Sequence, residues 1–199
     1  MTGARRKREI VAADILQPVE YAKRRDEIRR EIVRKKKHRR IEVGPCATFC
    51  FECYETMLQQ VQEMLHIEKG GAPQIADELS AYNPLIPKGA ELVATVMFEI
   101  DDPIRRARVL GRLGGVENTM FIKLGEDKIV GVAEQDQDRT NEEGKASSVQ
   151  FVHFPFTRGQ IAKFKAPGQM IVIGMAHQNY AHMAVMPEAM RAELAGDFD

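Results

Sequence analysis

ELVATVMFEI (Glu91–Ile100) is the stretch that decides the fold. Leu92, Ala94, Val96, Phe98 and Ile100 alternate with Val93, Thr95, Met97 and Glu99, the period of a β-strand. Both faces are largely apolar, which predicts a central strand covered on two sides. Asp101 or Asp102 then caps a helix that opens at Pro103 and runs to Leu113, where Gly114-Gly115 stops it. A hairpin follows, Thr119–Leu124 and Lys128–Glu134, turning at Gly125-Glu126-Asp127.

The same order recurs downstream. Val149–Phe156 reads as a strand, Thr157 caps a helix Arg158–Phe164, and Gly168 breaks it. Gln169–Ala176 and Tyr180–Met186 form a second hairpin across His177-Gln178-Asn179, and Pro187 opens a closing helix to Leu194. Two β-α-β-β units, at 91–134 and 149–186, suggest duplicated architecture with pseudo-twofold sheets, although residue identity between them is poor. A polar loop, Gln135–Ser147, joins them.

Upstream lies the N-terminal region. Tyr21 to about Lys37 has one narrow apolar stripe, Tyr21, Ile28 and Ile32, so this helix lies on the surface of something. A short strand Ile41–Val43 and the Gly44-Pro45 turn lead into the alternating run Ala47–Cys53. Tyr54–Glu68 is a helix with a buried face of Met57, Val61, Met64 and Leu65 beside a polar stripe of Thr56, Gln60 and Glu63. A second helix starts at Pro73 and reaches Tyr82, before Pro84 and Pro87. The fold class is therefore α+β: an antiparallel sheet from two β-α-β-β units, with an N-terminal helical region packed against it. Residues 1–40 form a basic helical arm, and 41–199 a single domain.

Charge is balanced overall, 29 basic residues against 29 acidic, but it is unevenly placed. Residues 1–45 hold fifteen Lys/Arg and seven Asp/Glu, a net of +8, so the remaining 154 residues carry −8. Such polarity points to a basic arm docking on an acidic surface, its own body or a partner's, or on nucleic acid. No window approaches a membrane span, and the N-terminus lacks the apolar core of a secretory signal. Three cysteines within eight residues make no disulfide framework, so the cytoplasm is the expected compartment.

Cys46-x-x-x-Cys50-x-x-Cys53 has the spacing that binds a four-iron cluster in radical S-adenosylmethionine enzymes, and thiolates are soft donors for iron or zinc. Against it, those enzymes need parallel β-α units, and strand alternation sets Cys50 and Cys53 on opposite faces. Packing is the favoured reading. Glu63-x-x-His66 has the ligand spacing of di-iron bundles but no second copy. His153, His177 and His182 fall in the last unit, where His177 and His182 flank one hairpin and could share a zinc or ferrous ion; no third ligand has suitable spacing. The run Arg34, Lys35, Lys36, Lys37, Arg39 and Arg40 could neutralise phosphates, but no stacking motif or zinc finger accompanies it. Glu52, Thr56, Gln60, Glu63, Tyr82 and Asn83 remain as the candidate pocket, at the seam between the 54–68 helix and the central strand.

Val43-Gly44-Pro45, Thr48-Phe49-x-Phe51-Glu52, Gln60-x-Gln62-Glu63-Met64 and Tyr82-Asn83-x-Leu85-Ile86-Pro87 resemble an uncharacterised bacterial family of domains of unknown function. The resemblance runs from Asp14-Ile15 to the His177–Tyr180 turn. It implies no established activity or cofactor. It implies a redox or oxidative-stress setting, because family genes often lie beside rubrerythrin-like and heterodisulfide-reductase-like iron–sulfur genes. In relatives the positions of Cys46, Cys50, Cys53, His66 and His153 often hold other residues. Glu52, Gln60, Glu63, Tyr82, Asn83 and His177 fit the family pattern. The leading reading is an accessory or binding protein acting through protein partners, an iron–sulfur or rubrerythrin-like protein among them. The alternatives are a metal-dependent enzyme or redox protein and a nucleic-acid-binding protein.

Overall fold

The protein, described by a computed structural model over residues 7–134, 140 and 144–199, contains in chain order α1 (Pro18–Lys36), β1 (Arg40–Val43), β2 (Ala47–Phe51), α2 (Tyr54–Glu68), α3 (Gly71–Tyr82) and β3 (Glu91–Phe98). The first unit continues with α4 (Pro103–Leu110), β4 (Met120–Leu124), β5 (Asp127–Val130) and the two-residue β6 (Val132–Ala133). The second comprises β7 (Val149–Pro155), α5 (Arg158–Lys165), β8 (Ile171–His177) and β9 (Tyr180–Val185), and α6 (Glu188–Leu194) closes the chain.

The class is α+β, with all strand pairs antiparallel, but the strands form two sheets rather than one. One has the order β1-β2-β3-β7-β6 and the other β5-β4-β8-β9. Each β-α-β-β unit divides itself between them. Its first strand enters the larger sheet, while its helix carries the chain across so that the hairpin lies in the smaller one. The pairing is symmetric: β3 pairs with β7, and β4 with β8.

The split follows from apolar area. Leu92, Ala94, Val96 and Phe98 of β3, with Phe49, Phe51, Val152 and Phe154 beside them, need a second apolar layer over them. Met120, Ile122, Leu124, Ile171, Ile173 and Met175 of the smaller sheet supply it, forming one core between the sheets. Gly131 lets the chain leave β5 for β6 in the other sheet, because a Cβ there would lie 2.5 Å from Val152 Cγ1. This crossing ends the strand that the sequence extends to Glu134.

The outer face of the larger sheet carries a second core. Val93 packs with Met57 and Val61 of α2 and with Ile10, Leu85 and Ile86, while Phe151 lies at its margin. Side-chain amides hold the N-terminal segment here. Asn83 accepts from the Ile10 amide at 2.7 Å and donates to the Ile10 carbonyl at 3.0 Å. Gln62 accepts from the Leu16 amide at 2.7 Å. Residues 7–40 are thus fastened to the rest of the chain by backbone contacts as well as by charge. The polar loop expected over Gln135–Ser147 lies mostly outside the described residues.

Candidate functional site

The six residues expected to line one pocket serve four separate contacts. Glu52 is buried at the end of β2, and its carboxylate accepts from Thr56 Oγ1 at 2.6 Å and Thr95 Oγ1 at 2.7 Å. Thr56 Oγ1 also accepts from the Cys53 amide at 3.0 Å, which closes the first turn of α2. Glu63 faces α1, where Arg25 binds both its oxygens at 2.9 and 2.7 Å and Tyr21 donates to it at 2.7 Å. The Arg25 hydrogen bonds, outweighing burial and aided by Tyr21, hold the Glu63 carboxyl at about 2. Gln60 meets the Tyr82 hydroxyl between α2 and α3. Asn83 clamps Ile10, as above. The stripe is a set of structural seams, and its polar groups are used up in making them.

The cysteines do not converge. β2 ends at Phe51, two residues earlier than the sequence alternation implies, so Cys53 leaves the strand and becomes the residue before α2. Cys50 stays on β2 opposite Thr95, and Cys46 sits in the preceding turn with its amide on the Tyr180 hydroxyl at 3.1 Å. Burial pushes the Cys50 thiol up to about 11. Burial also raises Cys53, against the pull of Arg39. In both cases burial favours the neutral thiol, the form that packs.

His177 and His182 flank the β8–β9 hairpin, as expected, and each makes its own contacts. The buried His177 ring lies 3.2 Å from the Gly114 carbonyl through Nε2 and accepts from the Asn179 amide at Nδ1, also at 3.2 Å. His182 is exposed and packs edge-on against Tyr180, with ring centroids 4.6 Å apart. His66 packs in the same manner against Tyr21 at 5.8 Å. Among the described residues, no group of three or more His, Cys, Asp or Glu side chains is arranged to hold a metal ion.

The basic run splits into buried and exposed parts. Arg39 is 1% exposed and pairs with Asp197, itself 2% exposed, and with Glu193 at 3.1 Å. It also donates to the Phe51 and Glu52 carbonyls at 3.0 and 2.9 Å, so it cannot reach a phosphate. Arg40 pairs with Glu99, and Lys35 with Glu55. Arg34 and Lys37 are exposed and Lys36 half-buried, without an ion pair among the described residues. Further along α1, Asp26, Arg29, Arg30, Val33 and Arg34 line a shallow surface groove of about 540 Å³. Arg29, Arg30 and Arg34 have no carboxylate within ion-pair distance among the described residues, and Val33 is 70% exposed between them.

Two polar arrangements escape the sequence reading. Tyr180 sends its hydroxyl across from β9 to donate to the Val43 carbonyl at 2.8 Å and accept from the Cys46 and Ala47 amides, which pins the β1–β2 turn. Burial pushes its phenol up to about 12. His153 on β7 is gripped by Glu91 at Nδ1, 3.0 Å, and by Glu134 at Nε2, 2.9 Å. The alternation of β3 and β7 could have placed Glu91 and His153 on one face; Glu134 arrives there only because β6 joins that sheet.

The Glu91 hydrogen bond, against burial, raises His153. Burial opposes ionisation of Glu91, but the His153 contact prevails and lowers it. A raised histidine stabilises the fold fully below its unfolded value of 6.5 and loses that effect as pH climbs through the folded value. A lowered carboxylate contributes above 4.5 and loses its effect as pH falls through its folded value. The clasp is therefore strongest between these limits. His153→Gln is expected to cost about 1–2 kcal/mol near pH 5.5 and less at pH 9, by urea denaturation at both pH values. An equal cost at both would show that the imidazolium is not the stabilising species.

Comparison with known proteins agrees with this architecture. The model of a family described as protein of unknown function (DUF3501) matches residues 9–198. No curated protein sequence matches the chain. A crystal structure described as a novel protein of unknown function, from Burkholderia pseudomallei, superposes with a TM-score of 0.88 at 34% identity. The match covers 96% of this chain and 99% of that one. With its two-sheet fold and nearly its whole length accounted for, the chain belongs to the DUF3501 family.

Proposed function

We propose that the protein is a cytoplasmic accessory protein that docks on an acidic surface of a protein partner through the outward face of α1. The observation that carries this reading is the groove of Arg29, Arg30 and Arg34 around exposed Val33. The same helix satisfies its inward cations on its own body, Arg25 on Glu63 and Lys35 on Glu55. Three neighbouring guanidiniums share the groove with one carboxylate, Asp26, none of them in a direct ion pair among the described residues, so the patch keeps a net positive charge that an acidic partner surface would offset. Arginine suits the role because it binds carboxylates in a planar fork, while Val33 supplies apolar contact at the centre.

The partner class proposed is a redox protein, iron–sulfur or rubrerythrin-like, on the gene setting implied by the family resemblance. Nucleic acid would be attracted to the same arginines, but the burial of Arg39 and the pairing of Arg40 and Lys35 shorten the phosphate track. The metal-dependent reading has less support, since Cys50 and Cys53 are buried thiols and both His177 ring nitrogens have protein partners.

The test is anaerobic co-purification from native cells, comparing wild type with the Arg29→Glu/Arg30→Glu/Arg34→Glu variant. A redox protein retained by wild type and reduced at least about tenfold with the variant is the expected result. Retention of nucleic acid in place of protein, or equal recovery by both forms, would overturn the reading.

A further inference from the structure

Four strands form the edges of the two sheets, and three of them carry a recognisable protection against pairing with another chain. β1 holds Arg40 and Glu42, β5 holds Asp127 and Lys128, and β6 is only two residues long. Charges and short length are the usual devices that keep an edge from recruiting a further strand. β9 has neither. Its sequence, Tyr180–Val185 (YAHMAV), contains no Asp, Glu, Lys or Arg, and it is six residues long.

The backbone of β9 is open on its outer side. The Met186 amide donates to the Ile171 carbonyl, which fixes the alternation along the β8–β9 pair. Tyr180, His182 and Ala184 therefore spend their amides and carbonyls on β8, while those of Ala181, Met183 and Val185 point away from it. Among the described residues no other strand pairs with this side. The side chains of the same three residues lie on the outer face of the smaller sheet. There Met183 is 67% and Val185 60% exposed.

We infer that β9 pairs antiparallel with β9 of a second copy of this chain about a twofold axis at Met183, joining the two smaller sheets into one. The register is self-complementary. With Met183 on the axis, small Ala181 lies opposite the larger Val185 of the second copy, and the reverse pair forms by symmetry. The three outward-facing residues of each strand then form about six backbone hydrogen bonds across the seam. Lys123 and Lys128 belong to β4 and β5, two and three strands back from the edge, about 10 Å or more from the seam, so no like charges meet there. A foreign strand could use the same hydrogen bonds, but the match of Ala181 to Val185 about a central Met183 favours the chain itself.

Sedimentation velocity of the full chain from about 1 to 200 µM tests this, since a dimer must respond to concentration. The expected result is a monomer–dimer equilibrium, weakened at least about tenfold by Met183→Lys, which sets two ammonium groups face to face on the axis. Because Met183 is exposed, the variant should keep the wild-type thermal midpoint at the dilute end of this range, where wild type is monomeric, which separates lost pairing from lost folding. In a second measurement, Met183→Cys should form an intermolecular disulfide under mild oxidation, whereas Val33→Cys, equally exposed on α1, should not. A monomer throughout the range, a dimer unaffected by Met183→Lys, or equal cross-linking at both cysteines would overturn the inference.

Discussion

Arg39→Met should destabilise the protein by about 3–5 kcal/mol, the cost of removing the buried cation that balances the Asp197 charge. The arginine leads into β1, while Asp197 follows α6, so the pair ties the start of the larger sheet's edge strand to the last turn after α6. The methionine would fill much of the space but donate nothing. Asp197 would keep its charge in a site shielded from water, and the Phe51 and Glu52 carbonyls would each lose a guanidinium donor. The diagnostic comparison is Arg39→Met/Asp197→Leu, which removes both charges and should recover part of the loss. Urea denaturation of the three proteins measures it. A single variant within 1 kcal/mol of wild type would mean that solvent or Lys35, which already lies 3.8 Å from Glu193, compensates, and that the pair is not an anchor.

Phe164→Ala should cost a similar amount, about 3–5 kcal/mol, through a different mechanism. Phe164 on α5 is fully buried and meets Phe156 at 5.6 Å and Phe198 at 5.4 Å between ring centroids, both edge-on. Phe156 and Phe198 themselves lie 4.8 Å apart. Three rings from the end of β7, from α5 and from the chain's C-terminus therefore close one end of the core. Truncating the Phe164 ring leaves a cavity that the two remaining rigid aromatics cannot collapse into, so the cost exceeds simple transfer. Phe164→Leu should recover more than half of it. Equal destabilisation by both substitutions would show that edge-on ring contacts, rather than volume, dominate there.

Much of this architecture is legible in local sequence. β3 is evident from its alternation, α2 from its 3.6-residue period, and the α4 and α5 starts from Asp102 and Thr157, which cap their helices through the Arg105 and Gln160 amides. The partition into two sheets was not legible, because alternation shows which side chains share a face and not what covers that face. Nothing local distinguishes a hairpin beside β3 from a hairpin over it. Gly131 gives a hint, but its tight fit depends on Val152, twenty-one residues later.

The candidate pocket dissolved for a related reason. Polar residues at one helix face look convergent, yet Glu63 is taken by Tyr21 and Arg25 and Asn83 by Ile10, all in the basic N-terminal segment, while Glu52 and Thr56 bond to each other and Glu52 to Thr95. In the run RKKKHRR, composition gives Arg39 the same character as its neighbours. Only the β1 register, with Arg40 opposite Cys50, turns Arg39 toward Asp197. The charge asymmetry was readable, while the division of those charges between internal pairs and the free face of α1 required the fold.

That free face carries the functional account, and one binding isotherm tests it most directly. The redox protein recovered with wild type is purified and titrated, at low and at physiological salt, against wild type, the Arg29→Glu/Arg30→Glu/Arg34→Glu variant and Met183→Lys. The account predicts salt-sensitive binding by wild type, at least about tenfold weaker binding by the triple variant, and wild-type affinity for Met183→Lys, whose change lies on the other sheet edge. Binding that ignores both salt and the loss of the three arginines would contradict it.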